Sequence, residues 1–176
     1  PLPYTFRILE NLELGDIQAV QADYDQFVRM WEELRQPVYD YFRTLTETML
    51  ALLVGRFGEG ERLAQQALDT GRGLGIEAVD GTFGIQMFTL RREQGGLREL
   101  APVIRTLVDR DAAGATWRPG LALLYSELDL RSDARAQFEI LAADAFGGLP
   151  RDALWSTSIA YLAEVCAYLG DAGRAA

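Results

Sequence analysis

The stretch PVYDYFRTLTETMLALLVGRFGEGERLAQQALDTGRGLG, residues 37–75, decides the fold. Pro37 opens a helix well, because the N–H it lacks would have no partner in the first turn. No Gly or Pro interrupts Tyr39 to Val54. Apolar residues fall at Tyr41, Phe42, Leu45, Met49, Leu52 and Leu53, close to helical spacing. Gly55 supplies a left-handed residue where that helix ends. A second helix opens near Gly58 and carries Leu63, Ala64, Ala67 and Leu68 on one face, with Gly71, Gly73 and Gly75 terminating it. The stretch therefore predicts two antiparallel helices joined by a tight turn at Gly55-Arg56-Phe57.

The same unit recurs on both sides. Turn markers stand at Gly15, Gly55, Gly95, Asp129 and Gly170, separated by 40, 40, 34 and 41 residues. Five residues after each marker sits Val20, Gly60, Leu100, Ala134 or Ala175, and three of these are small, as close helix crossings require. A helix-turn-helix unit with a period of this size predicts an all-α fold, an α-solenoid of about four hairpins plus one terminal helix. The repeats run approximately over 1–35, 36–75, 76–111, 112–150 and an incomplete 151–176, within a single domain.

Working outward, the first hairpin pairs Tyr4–Leu14 with a long helix from Ile17 to Leu34, for which Asp16 is a good N-cap. Ile17, Val20, Tyr24, Phe27, Val28, Trp31 and Leu34 form its apolar stripe. Gln36-Pro37 ends it, since the residue before proline avoids the α region. The third hairpin runs from Ile76 to about Asp109, with Gly81 and Gly84 allowing a close crossing in its first helix. Asp111–Ala115 reads as a loop, and Ser132 as the N-cap of the helix carrying Ala134, Phe138 and Leu141. Ala145–Asp152 is a longer connection. The last helix spans Ala153–Leu169 and is apolar nearly all round, so Trp155, Ile159, Val165 and Cys166 expect cover from a further helix. The lack of an initiating Met and the stop at Ala176 suggest a piece of a larger protein. An uncovered final helix implies either self-association through it or a gain in stability when the chain is extended by about 20 residues, enough for one more helix.

Composition narrows the function. The net charge of −9 opposes binding to nucleic-acid backbones and to anionic membranes. All 17 basic residues are Arg, a coding bias more than a phosphate-recognition signal. Without His, the commonest general base and metal ligand is missing, and Ser-His-Asp, Cys-His and Cys/His zinc arrangements are impossible. Cys166 is the only cysteine, so no disulfide framework exists. No apolar run is long enough for a membrane helix and no secretion signal is present, which points to the cytoplasm.

The carboxylate pairs Asp23/Asp25, Glu32/Glu33, Glu59/Glu61 and Asp109/Asp111 are spaced so that a helix does not converge them on one substrate. Gly71-Arg72-Gly73-Leu74-Gly75 follows a helix, whereas a dinucleotide fingerprint follows a strand, so it reads as a cap and loop. The expectation is no catalytic residue, no metal and no cofactor. Arg91-Arg92-Glu93 is the densest positive spot. It is either a solvated helix end or a place where Arg92 meets an acidic group in a groove.

Three stretches, LLVGRFGEGERLAQQAL (52–68), QMFTLRREQGGLREL (86–100) and LYSELDLRSDARAQFEILAADAFGGLPRDALW (124–155), carry a resemblance. The chain is similar to the C-terminal tetratricopeptide-like (TPR) region of large bacterial signal-transduction ATPases, which are linked to LuxR-type DNA-binding or nucleotide-cyclase domains. Leu149-Pro150-Arg151-Asp152 with Trp155 is its most specific part. Asp129 in place of the turn glycine, and Phe88 and Thr48 at positions usually held by small residues, depart from the common repeat pattern. The resemblance implies regulation: a non-catalytic sensor or protein-interaction arm of a bacterial signalling or transcriptional regulator. Its partner is then another protein or other domains of the same parent chain.

A regular TPR register projected from the turn glycines puts Phe42, Leu45, Met49, Thr82, Ile85, Thr89, Arg92, Leu123, Ser126 and Glu127 toward a concave wall. Each apolar member reads equally as inter-repeat core. The alternative function is a sensor arm that binds a small effector in the same groove, for which a closed pocket with convergent polar groups would be the sign.

Overall fold

The computed structural model describes residues 2–77, 79–110, 114–151 and 154–174. Among these the chain is all-α. The helices are α1 (Leu2–Glu13), α2 (Ile17–Leu34), α3 (Pro37–Leu53), α4 (Phe57–Gly73), α5 (Val79–Glu93), α6 (Leu97–Arg110), α7 (Gly114–Glu127), α8 (Arg131–Ala142) and α9 (Trp155–Leu169), followed by a 3-10 turn at Ala172–Arg174. No strand occurs among the described residues.

One local device sets most of the helix ends. At Gly55 (φ +75) the N–H bonds to the Leu52 carbonyl at 3.1 Å, and the next N–H, of Arg56, reaches back to Ala51 at 2.8 Å. This pair of bonds is the Schellman motif, which satisfies carbonyls that a helix end otherwise leaves bare. The same pair recurs at Gly15/Asp16, Gly75/Ile76, Gly95/Gly96, Asp129/Leu130, Ala145/Phe146 and Gly170/Asp171. Asp129 takes the left-handed conformation at φ 57, a role that Asp fills better than most non-glycine residues.

The chain divides into two compact units, residues 1–90 and 91–176, with the division inside the last turn of α5. In the first unit α1 and α2 bury Ile8, Val20 and Phe27. The buried Asp23 is held by Arg7 at 2.7 Å and by the Asn11 amide at 2.9 Å. Helices α3 and α4 close on Tyr41, Ala67 and Leu68, and Val79 at the start of α5 joins that cluster. Buried Thr44, Thr46 and Thr48 do not strand their hydroxyls: each donates to the carbonyl four residues back. In the second unit α7 is the centre. Leu121, Ala122, Leu123, Leu124 and Tyr125 are all buried, and α6, α8 and α9 pack around them.

Several local expectations are corrected. Gly71 does not end α4; the helix continues to Gly73, its last residue, and the left-handed residue of the turn is Gly75 (φ +69). Gly71 is there for packing, since a Cβ would lie 2.4 Å from Val79 Cγ2 and 2.9 Å from Tyr41 Cε2. Ser132 is not an N-cap. Leu130 precedes the helix and accepts the Ala134 N–H at 2.9 Å, because the left-handed Asp129 brings the chain into helix early. Of the expected 111–115 loop, Gly114 and Ala115 are helical and belong to α7, and 111–113 lie outside the described residues. The last helix is described from Trp155; residues 152–153 and Ala175 lie outside the described residues. Val165 and Cys166 are buried, so of the side chains expected to need cover, Ile159 is the exposed one and Trp155 is half-buried. Pro102 and Pro119 lie inside α6 and α7, where each removes a backbone donor.

Candidate functional site

Of the ten candidate groove residues, six lie in the first unit. Phe42 and Leu45 on α3 pack against the Tyr41–Ala67–Leu68–Val79 cluster, and Met49 is half-buried further along α3. Thr82, Ile85 and Thr89 on α5 are likewise half-buried, with Thr82 hydrogen-bonded to the Tyr41 hydroxyl. Burial pushes the Tyr41 phenol upward, and that bond opposes the shift. In the second unit Leu123 is 1% exposed, and the Ser126 hydroxyl donates back to the carbonyls of Ala122 and Leu123. These two side chains are interior, because α7 is enclosed by its neighbours, and neither faces a groove.

Arg92 and Glu127 are brought together. Arg92 Nη2 donates to Glu127 Oε1 at 2.6 Å and to Glu164 Oε2 at 2.5 Å, while Nη1 reaches Glu164 Oε1 at 3.3 Å. The guanidinium thus joins the last turn of α5 to the end of α7 and to the middle of α9. Its pKa is raised, first by the hydrogen bonds to Glu164 and then, against partial burial, by Glu127. Two carboxylates on one guanidinium leave the group net negative. Nearby, the Tyr168 hydroxyl on α9 donates to Asp129, in the turn after α7, at 2.7 Å. Arg131 donates to the carbonyls of Tyr168 and Leu169, which closes the C-terminal end of α9 with a positive charge.

Glu164 escaped the sequence register, because it lies 37 residues after Glu127, two more than the 35 between Arg92 and Glu127, and a fixed period does not reach it. A second cluster also went unseen, in the first unit. Tyr24 donates to Glu47 at 2.6 Å, and Arg43 binds the same Glu47 oxygen and Asp40 while lying 4.6 Å from the Trp31 ring centre. These groups line an open pocket of about 330 Å³ between α2 and α3. A larger groove, about 710 Å³, runs along α4 with Gln65, Gln66, Asp69 and Arg62 above Phe83 and Met87.

Among the described residues no three His, Cys, Asp or Glu side chains gather as a metal would need, and no helix is long and apolar enough to cross a membrane. No family model matches the chain, and neither a curated protein nor a solved structure matches it.

Proposed function

We propose that this protein is a non-catalytic helical-repeat module, a solenoid of tetratricopeptide-like hairpins, acting as a docking arm in a bacterial signalling or transcriptional regulator. Its partner is another protein or other domains of its own parent chain. The observation that carries this is the Arg92–Glu127–Glu164 junction: side chains 35 and 37 residues apart, from the last turn of α5, the end of α7 and α9, share one guanidinium. That is the spacing of a hairpin repeat whose first helices line up. The Schellman turns at residues 15, 55, 95, 129 and 170 support the same register. The net negative junction then offers carboxylate to an arginine or lysine of the partner.

The test is a calorimetric titration of the chain with the separately produced ATPase domain of the parent protein. Binding that weakens at least about tenfold in Glu127→Arg supports the reading. Unchanged binding in that variant, or no binding, opposes it.

A second reading, a small-effector sensor arm, is favoured by the groove along α4, where carboxamides and charges stand over Phe83 and Met87. A thermal-shift screen with metabolites, read against Phe83→Ala, separates it from the first.

A further inference from the structure

Between α8 and α9 lies a groove of about 400 Å³ whose lining includes Phe138, Phe146, Ile159, Leu162 and Cys166, with Arg174 as its one charged side chain. Phe138 and Cys166 are 1% and 5% exposed. After α9 the chain reverses at Gly170 (φ 69), and residues 171–174 come back across this groove as a turn and 3-10 helix. The residues of the 3-10 helix bury no side chain. What holds the segment is polar. Arg174 donates to both oxygens of Glu139 on α8 at 2.9 Å, and its guanidinium lies 5.8 Å from the Phe138 ring centre. The Cys166 thiol, a weak donor, reaches the Asp171 carbonyl at 3.1 Å, and the Asp171 N–H returns to the Cys166 carbonyl.

Three features let this segment leave by itself. The end of α9 is fastened separately, because Arg131 donates to the carbonyls of Tyr168 and Leu169, and Leu169 is buried. Every charge that is pulled apart keeps a partner. Asp171 travels with Arg174, to which it is bound at 2.9 Å, and Glu139 retains Arg135 at 3.8 Å. Gly170 supplies the hinge, since glycine moves between left- and right-handed conformations without a Cβ penalty. A segment held by partly exposed bonds, with no buried side chain, opens at a lower free energy than the whole fold.

We propose that residues 171–174 are a strap that closes the α8–α9 groove and opens about Gly170 while α9 stays docked. The Arg174–Glu139 pair is its clasp. Closed, the strap covers Phe138 and Cys166; open, it lays both bare and lengthens the apolar floor of the groove. Cys166 serves here only as the reporter of opening. The strap does not depend on the docking role proposed above, and the variants that test it leave Arg92, Glu127 and Glu164 untouched.

The experiment follows the reaction of Cys166, the only cysteine, with methyl methanethiosulfonate, an uncharged reagent whose approach the charge variants do not alter. Rates are measured on the intact chain in wild type, Glu139→Gln and Arg174→Gln, from zero urea upward, with circular dichroism confirming that each variant keeps its helix content. The wild-type rate is expected to lie well below that of a cysteine in a free peptide. It stays flat at low urea, because opening the strap exposes little surface. Each variant raises it about three- to fivefold, the effect of removing one partly exposed ion pair. A rate unchanged in either variant overturns the proposal. So does a wild-type rate that follows global unfolding down to zero urea, or one equal to that of the free peptide.

Discussion

Arg92 and Glu164, 72 residues apart in the sequence, meet through both terminal nitrogens of the guanidinium and both oxygens of the carboxylate. Glu127 shares the same cation. The three side chains are between 30% and 45% exposed, so water screens the pairing and its contribution to stability is modest. Arg92→Ala is expected to lower stability by about 1 kcal/mol or less. Arg92→Glu, which puts three carboxylates together, lowers it by about 2 kcal/mol. The double variant Arg92→Glu/Glu164→Arg recovers part of that loss, read from urea melts as a double-mutant cycle.

Glycines two residues apart in α4 should respond in opposite directions to alanine. At Gly71 the new methyl meets Val79 and Tyr41, and Gly71→Ala is expected to destabilise by about 1–3 kcal/mol. At Gly73 nothing lies within 4 Å of the new Cβ, and Gly73→Ala is expected to stabilise by about 0.5–1 kcal/mol. Denaturant midpoints at constant slope check both.

Tyr24 should titrate late in alkali. Burial, and then the hydrogen bond to Glu47, raise its phenol above the ordinary 10.0. A raised folded-state value means that the stability contribution is fully present below pH 10 and is lost as pH rises toward the folded value. Ultraviolet titration of wild type against Tyr24→Phe isolates its phenolate step, and the fall in stability above pH 10 should be smaller in the variant.

Glu139 gives the opposite sign at the acid end. Its hydrogen bonds to Arg174 hold the carboxyl below the ordinary 4.5. The contribution is present above that value and is lost as pH falls through the folded one. Below about pH 4 the 3-10 turn should loosen from α8, and Glu139→Gln should remove this acid step. Exchange of the Arg174 amide followed by NMR across pH 3–6 would show it.

Much of the fold was legible because turn chemistry is local. Gly55 and its equivalents announce a left-handed residue, and the helices on either side follow from period and breakers. The connection after α8 was less legible, because Ala145 (φ 55) and Phe146 (φ 64) take left-handed conformations with no glycine to mark them. The Phe146–Phe138 contact is the tertiary term that holds them there, and such a term has no signature at one position. Pro119 sits inside α7 for the same kind of reason: it is fully buried, and packing outweighs the missing donor. At the candidate site, Arg92 and Glu127 were reachable from the repeat register. Leu123 and Ser126 are buried because α7 is enclosed, which the register does not say; for Leu123 this is the inter-repeat core that the projection left open.

The measurement closest to the central claim is native-state hydrogen exchange resolved by residue. A chain of hairpin repeats is stabilised by each hairpin and its nearest neighbours, so its parts open separately. The α1–α2 pair meets α3 partly through the polar Tyr24–Glu47–Arg43 cluster, while α7 is enclosed by three helices. The account predicts that amides of α1 and α2 exchange together at a lower opening free energy than those of α7. One global opening free energy shared by every helix would contradict it.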